Sequence, residues 1–142
     1  MTGDPHELRR FVQAQDEAGT YARALAELRA GRKTSHWIWF VFPQFAGLGR
    51  SSMSRTYAIA SLAEAEAYLD HPALGPRLRE CADALLGVSG KSAEEILGGI
   101  DALKLHSSMT LFARAAPSEA LFRQVLDRYY DGELDEATER RL

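Results

Sequence analysis

The stretch His36-Trp37-Ile38-Trp39-Phe40-Val41-Phe42, closed by Pro43, decides the fold. Its aromatic and β-branched residues favour an extended strand by intrinsic preference, and Pro43 ends the element in either conformation. A lone strand leaves half of its backbone groups unpaired, so it needs neighbouring strands. The rest of the chain offers none. The stretch is therefore read as a short, fully buried helix capped by Ser35, followed by a glycine- and serine-rich loop from Gln44 to Thr56.

Outward in both directions the chain is punctuated by helix caps. Asp4-Pro5-His6-Glu7 supplies a cap, a proline at the first helical position and a capping-box glutamate, with Leu8, Phe11 and Val12 following at helical spacing. Gly19 ends that helix and Thr20 caps the next, which carries Tyr21, Leu25 and Leu28 up to Gly31. Ser61-Leu62-Ala63-Glu64 and Ser92-Ala93-Glu94-Glu95 are two further capping boxes. Leu74, Leu78, Cys81 and Leu85 predict a helix from about Pro76, and Gly98-Gly99 ends the short helix after Ser92. Asp101 is read as the cap of a helix bearing Leu105, Met109 and Phe112, which Pro117 stops. Leu121, Phe122, Val125, Leu126 and Tyr129 face one way on another helix, ended by Gly132, and Asp135 caps a last turn through Arg141. The expectation is an all-α fold, a compact single-domain bundle of about six to eight short helices over residues 1–142.

Composition agrees with an ordinary globular chain: 142 residues, 46% hydrophobic and 26% charged. The single cysteine, Cys81, excludes an intramolecular disulfide framework and points to a reducing cytoplasm. The N-terminus has neither the basic nor the apolar region of a signal peptide, and the longest apolar run, Trp37 to Pro43, is far too short to span a membrane. A net charge of −3 argues against bulk nucleic-acid binding. That average conceals an asymmetry. From Leu28 to Ala63 there is no Asp or Glu, while Arg29, Arg32, Lys33, Arg50 and Arg55 give the segment +5. Both tryptophans lie in it, and this is where a ligand is sought.

Side-chain chemistry narrows the search. His6, His36, His71 and His106 are scattered, with no paired-ligand spacing, so neither a metal site nor a cofactor is expected. Cys81 lies in line with Leu74, Leu78 and Leu85 and reads as a small core residue. Gly47-Leu48-Gly49-Arg50-Ser51-Ser52 is more suggestive. Two glycines let a backbone approach a ligand closely, and an arginine fork with hydroxyls suits phosphate or carboxylate. A flexible surface turn is the competing reading. Lys104, Ser107, Ser108 and Leu111 share one face of their helix and Leu105, Met109 and Phe112 another. Small hydroxylic residues there mark either a site or close helix packing. Among Lys33, Ser35, His36, Trp37, Trp39 and Gln44, His36 is the best general acid–base candidate, with Tyr57 as a second proton carrier. One of the two tryptophans is expected in the core, and the other, or Phe45, could stack a flat ring.

Several of these strings together resemble a bacterial domain-of-unknown-function family, numbered 1810. They are Asp4-Pro5, the Ser35-to-Gln44 string around His36-Trp37-x-Trp39-Phe40-x-Phe42-Pro43, and Gly47-Leu48-Gly49-x-Ser51. Tyr57, His71-Pro72-x-Leu74-Gly75-x-Arg77-Leu78 and Lys104-Leu105-x-Ser107-Ser108-Met109-Thr110-Leu111-Phe112 complete the match. His106 departs from it, standing where many relatives are expected to have arginine. The resemblance implies a compact all-helical domain and assigns no activity.

Two functions follow as expectations. The first is a pocket for a small anionic, nucleotide-like metabolite. Lys33, Gly47, Gly49, Arg50, Ser51, Lys104, Ser107 and Ser108 would hold the anion. Trp37 or Trp39 would stack the ring, Gln44 would bond its edge, and His36 and Tyr57 would move protons. The second is a non-catalytic interaction or regulatory module whose basic loop meets an acidic surface.

Overall fold

The computed structural model describes residues 3–142. It is all-α. Helices of eight residues or more are α1 (Arg9–Asp16), α2 (Thr20–Arg29), α5 (Leu62–Asp70), α6 (Leu74–Leu86), α8 (Gly99–Ala115) and α9 (Ala120–Tyr130). Short segments α3 (Ile38–Val41), α4 (Ser52–Thr56), α7 (Ala93–Leu97) and α10 (Glu136–Arg141) lie between or after them. The extended element is one parallel bridge, Phe45 with Ile59, in which the Ile59 N–H donates to Gln44 O and the Ala46 N–H to Ile59 O.

Helix α8 is the axis of the bundle, packing against α3, α5, α7, α9 and α10. Its sequence explains this. Leu105, Met109, Leu111 and Phe112 are fully buried, and so are Ser108, Thr110 and Ala113, so apolar or small residues surround the helix on all sides. Phe11, Trp37, Phe42, Tyr68, Phe112 and Phe122 fill the core around it, with ring pairs such as Phe11–Tyr68, edge-on at 5.1 Å. Where Gly75 faces the end of α5, a Cβ would lie 2.1 Å from Leu69 O, so only glycine lets these two helices approach so closely.

Several boundaries differ from the sequence reading. The decisive aromatic stretch is helical, but only over Ile38–Val41, and Ser35 does not cap it. The Ser35 hydroxyl donates instead to Glu27. Asp4 does satisfy helix N–H groups, those of Leu8 and Arg9 at 2.8 Å each. The helix nevertheless starts at Arg9, because Glu7 takes a left-handed turn at φ 52°. The loop after Pro43 contains α4, whose cap is Ser51, its hydroxyl accepting the Ser54 N–H at 3.1 Å. Helix α6 begins at Leu74, ahead of Pro76, because His71 Nδ1 accepts the N–H groups of Ala73 and Leu74. The Gly98-Gly99 pair is a junction: α8 starts at Gly99, and Asp101 lies inside its first turn.

Candidate functional site

The segment from Gly31 to Trp37 is shaped by a carboxylate. Glu27, buried on α2, accepts the N–H groups of Thr34 (2.9 Å) and Ser35 (3.1 Å), the Ser35 hydroxyl (2.6 Å) and the Trp37 indole N–H (2.8 Å). Burial pushes its carboxyl up, but the Ser35 hydroxyl, the Trp37 indole and the two backbone groups outweigh that and hold it at about 2. A carboxylate with four donors is the physical reason the chain leaves α2 in this turn and buries Trp37. Trp37 is 0% exposed, so it cannot stack a ligand, contrary to one expectation from sequence. Trp39 is half-buried and is the tryptophan with exposed surface.

Next to this turn lies a cleft of about 430 Å³ lined by Lys33–His36 and by Leu97–Asp101, the end of α7 and first turn of α8. His36 is exposed there. The Lys33 ammonium is already neutralised by Asp101 at 2.7 Å, with both side chains largely buried. The lining includes none of Arg50, Lys104 and Ser107, so the grouping of these with His36 in one pocket is not what this cleft provides.

The α8 hydroxyls were expected to hold a ligand, and two of them do other work. Ser108 is completely buried, its hydroxyl without a hydrogen-bond partner among the described residues, and therefore belongs to close helix packing. Ser107 is buried too, its hydroxyl 3.2 Å from both Leu103 O and Asp135 Oδ2. One proton serves one acceptor at a time, and both acceptors are protein atoms. Lys104 is half-buried one turn beyond Asp101. Tyr57 packs its half-buried ring against Phe11 and Phe40, at 5.7 and 5.3 Å between centroids.

The glycine loop gathers the remaining candidates. Gly47 has φ 91°, and a Cβ there would stand 2.5 Å from Arg141 Nη1 and 2.8 Å from its Cζ, so the Arg141 guanidinium lies directly against the loop backbone. A Cβ on Gly49 would meet Ser54 Cβ at 2.4 Å, with Gln44 Oε1 3.6 Å away. Arg55 Nη1 donates to Arg50 O. Ser51, besides capping α4, donates to Ser54 Oγ at 3.0 Å. Seven ion pairs join the described residues, and none involves Arg50, Arg55 or Arg141. Gln44, Gly47, Gly49, Arg50 and Ser51, expected from sequence to meet a ligand, lie in this loop, and Arg141, not among the expected residues, reaches it by a tertiary contact that leaves no local signal.

The family model for a protein of unknown function, DUF1810, matches residues 5–142. The chain belongs to this family. The DUF1810 chain is also similar to a solved structure, the conserved hypothetical protein Rv1873 from Mycobacterium tuberculosis. The two are 53% identical, each covered over 98% of its length, with a TM-score of 0.94. No curated protein matches the chain. No helix among the described residues is long and apolar enough to cross a membrane.

Proposed function

We propose that this protein binds a small phosphate-bearing, nucleotide-like anion at the loop from Gln44 to Ser51. One observation carries the reading: among the described residues neither Arg50, which follows Gly49, nor Arg55, whose guanidinium donates to Arg50 O, is paired with a carboxylate, whereas Lys33, in the same basic segment, is neutralised by Asp101. Guanidinium groups without a carboxylate partner, beside a glycine loop, suit phosphate oxygens. Gln44 adds an amide at the same loop, and Phe45, half-buried at its head, is the adjacent aromatic for a base. His36, Trp39, Tyr57 and Lys104 stand outside this loop, and the reading does not depend on them.

The test is a thermal-shift series with pyrophosphate, ADP and sugar phosphates on the wild type and Arg50→Ala. Stabilisation of the wild type that Arg50→Ala reduces supports the reading. An unmoved melting temperature with every phosphate compound refutes it.

A second reading, self-association as a non-catalytic interaction module, is favoured by one observation. Ile100 and Leu103 are 74% and 69% exposed, on one face of the first turns of α8. The occupant would be a second copy of the chain, and sedimentation velocity of the wild type against Ile100→Ser/Leu103→Ser distinguishes it. A dimer that the double substitution dissociates supports this reading, and a monomeric wild type at all concentrations removes it.

A further inference from the structure

Helix α10 is held to α8 through hydroxyls, the Asp135 carboxylate and an Arg114–Glu139 ion pair. Asp135 Oδ2 accepts the Thr138 hydroxyl (2.6 Å), the Thr138 N–H (3.1 Å) and the Ser107 hydroxyl (3.2 Å). The Asp135 N–H donates to Thr110 Oγ1 at 2.9 Å, and the Thr110 hydroxyl donates to His106 O at 2.9 Å. Farther along, Arg114 Nη1 bonds both carboxylate oxygens of Glu139, at 2.7 and 2.8 Å. Thr110 and Thr138 are fully buried in this seam. The last residue but one of the chain is Arg141, and it lies against Gly47.

We infer that α10 is an arm that delivers Arg141 to the glycine loop as a further anion-binding residue, and that Asp135 is its positioning residue. This rests on the loop being the anion site. It assigns a role to the small hydroxylic strip on α8 that packing alone does not. Ser107 and Thr110 fix Asp135, Asp135 fixes the first turn of α10, and the six-residue helix sets where Arg141 falls. Among the described residues the Arg141 guanidinium forms no ion pair, so its donors remain available to a ligand at the loop.

The probe is inorganic pyrophosphate, measured by titration calorimetry on the full chain. Arg141→Ala, at an exposed position, is expected to weaken binding about tenfold or more, the usual consequence of losing a charged hydrogen bond. Asp135→Ala should weaken it as well. In the Arg141→Ala background it should cost nothing further, because Asp135 acts only through Arg141. Asp135→Asn, which keeps an acceptor oxygen, should recover part of the affinity and is the variant to use if Asp135→Ala folds poorly. Wild-type affinity in Arg141→Ala, with affinity lost in Arg50→Ala, overturns the arm and leaves the loop reading standing. A further loss from either Asp135 substitution in the absence of Arg141 overturns the positioning role. A wild type that does not bind pyrophosphate overturns the loop reading and the arm with it.

Discussion

Replacing Glu27 by glutamine removes one charge from the group that shapes the turn into the core. Three donors, the Thr34 and Ser35 N–H groups and the Trp37 indole, converge on Oε1, and the Ser35 hydroxyl on Oε2. A glutamine oxygen at the Oε1 position keeps its three donors, but as neutral bonds of roughly half the strength, and the Ser35 hydroxyl can rotate to accept from the new amide. At about 0.5–1 kcal/mol lost per bond, the cost is about 1.5–3 kcal/mol. The titration argument gives a similar figure. A carboxyl held at about 2 instead of 4.5 contributes about 3 kcal/mol when ionised in both states. The folded value lies below the unfolded one, so this stability is fully present above pH 4.5 and is lost as pH falls toward 2. Urea denaturation of the wild type and Glu27→Gln should therefore differ by about 2–3 kcal/mol at pH 7, with the difference shrinking between pH 4.5 and 2. Equal stability at pH 7, or a difference independent of pH across that window, refutes the account of Glu27 as the charged anchor of Trp37.

Other substitutions read other parts of the fold. Ser108→Ala removes a buried hydroxyl that has no partner, and is expected to raise stability by about 1 kcal/mol, or a melting temperature higher by about 3–4 °C in calorimetry. Gly75→Ala sets a methyl against Leu69 O and should cost about 2–4 kcal/mol in denaturant titration, by forcing α5 and α6 apart. The thiol of Cys81, raised to about 12 by burial, should react with a thiol reagent only as the protein unfolds, so modification rate should track global opening in urea. Lys33→Met leaves Asp101 unpaired and partly buried, and is expected to destabilise the chain at pH 7, with Lys33→Met/Asp101→Asn recovering most of the loss in the same titration.

What the sequence made legible was chemistry confined to a few consecutive residues. Ser61, Ser92 and Asp135 are caps because a hydroxyl or carboxylate three residues ahead of an N–H is a local arrangement, and each accepts that N–H; the box at Ser92 closes as read, whereas the Glu64 carboxylate bonds the Ala60 N–H instead of that of Ser61. The aromatic stretch could be assigned to helix because a strand without partners leaves backbone groups unpaired, an argument about the whole chain that needs no coordinates. One error came where a second solution was equally local. Gly98-Gly99 terminates α7 and also begins α8, so the junction moved and Asp101 became a salt-bridge partner instead of a cap. Glu27 was invisible for a different reason. Most of its donors are backbone N–H groups and an indole, which have no sequence pattern.

The acid-free stretch from Leu28 to Ala63 takes on another meaning once its borders are seen. The carboxylates just outside it, Glu27 and Glu64, are both buried and both turn back onto it. Glu27 takes the donors of Thr34, Ser35 and Trp37, and Glu64 takes the Ala60 N–H and the Arg10 guanidinium. Asp101 comes from α8 to neutralise Lys33, and Arg29 makes an exposed pair with Glu80 at 3.5 Å, which contributes little. A sum of charges over sequence therefore overstates the electropositive surface at one end of the segment and understates it at the other. At the Lys33 end, compensation arrives from helices the sum did not include. At the Arg50 end a further guanidinium, Arg141, arrives from the acidic remainder of the chain and lies against Gly47. The fold sets Arg141 against Gly47 and the Arg55 guanidinium on Arg50 O while pairing Lys33 with Asp101, so the unpaired positive charge of this segment lies at the loop where the proposed anion would bind.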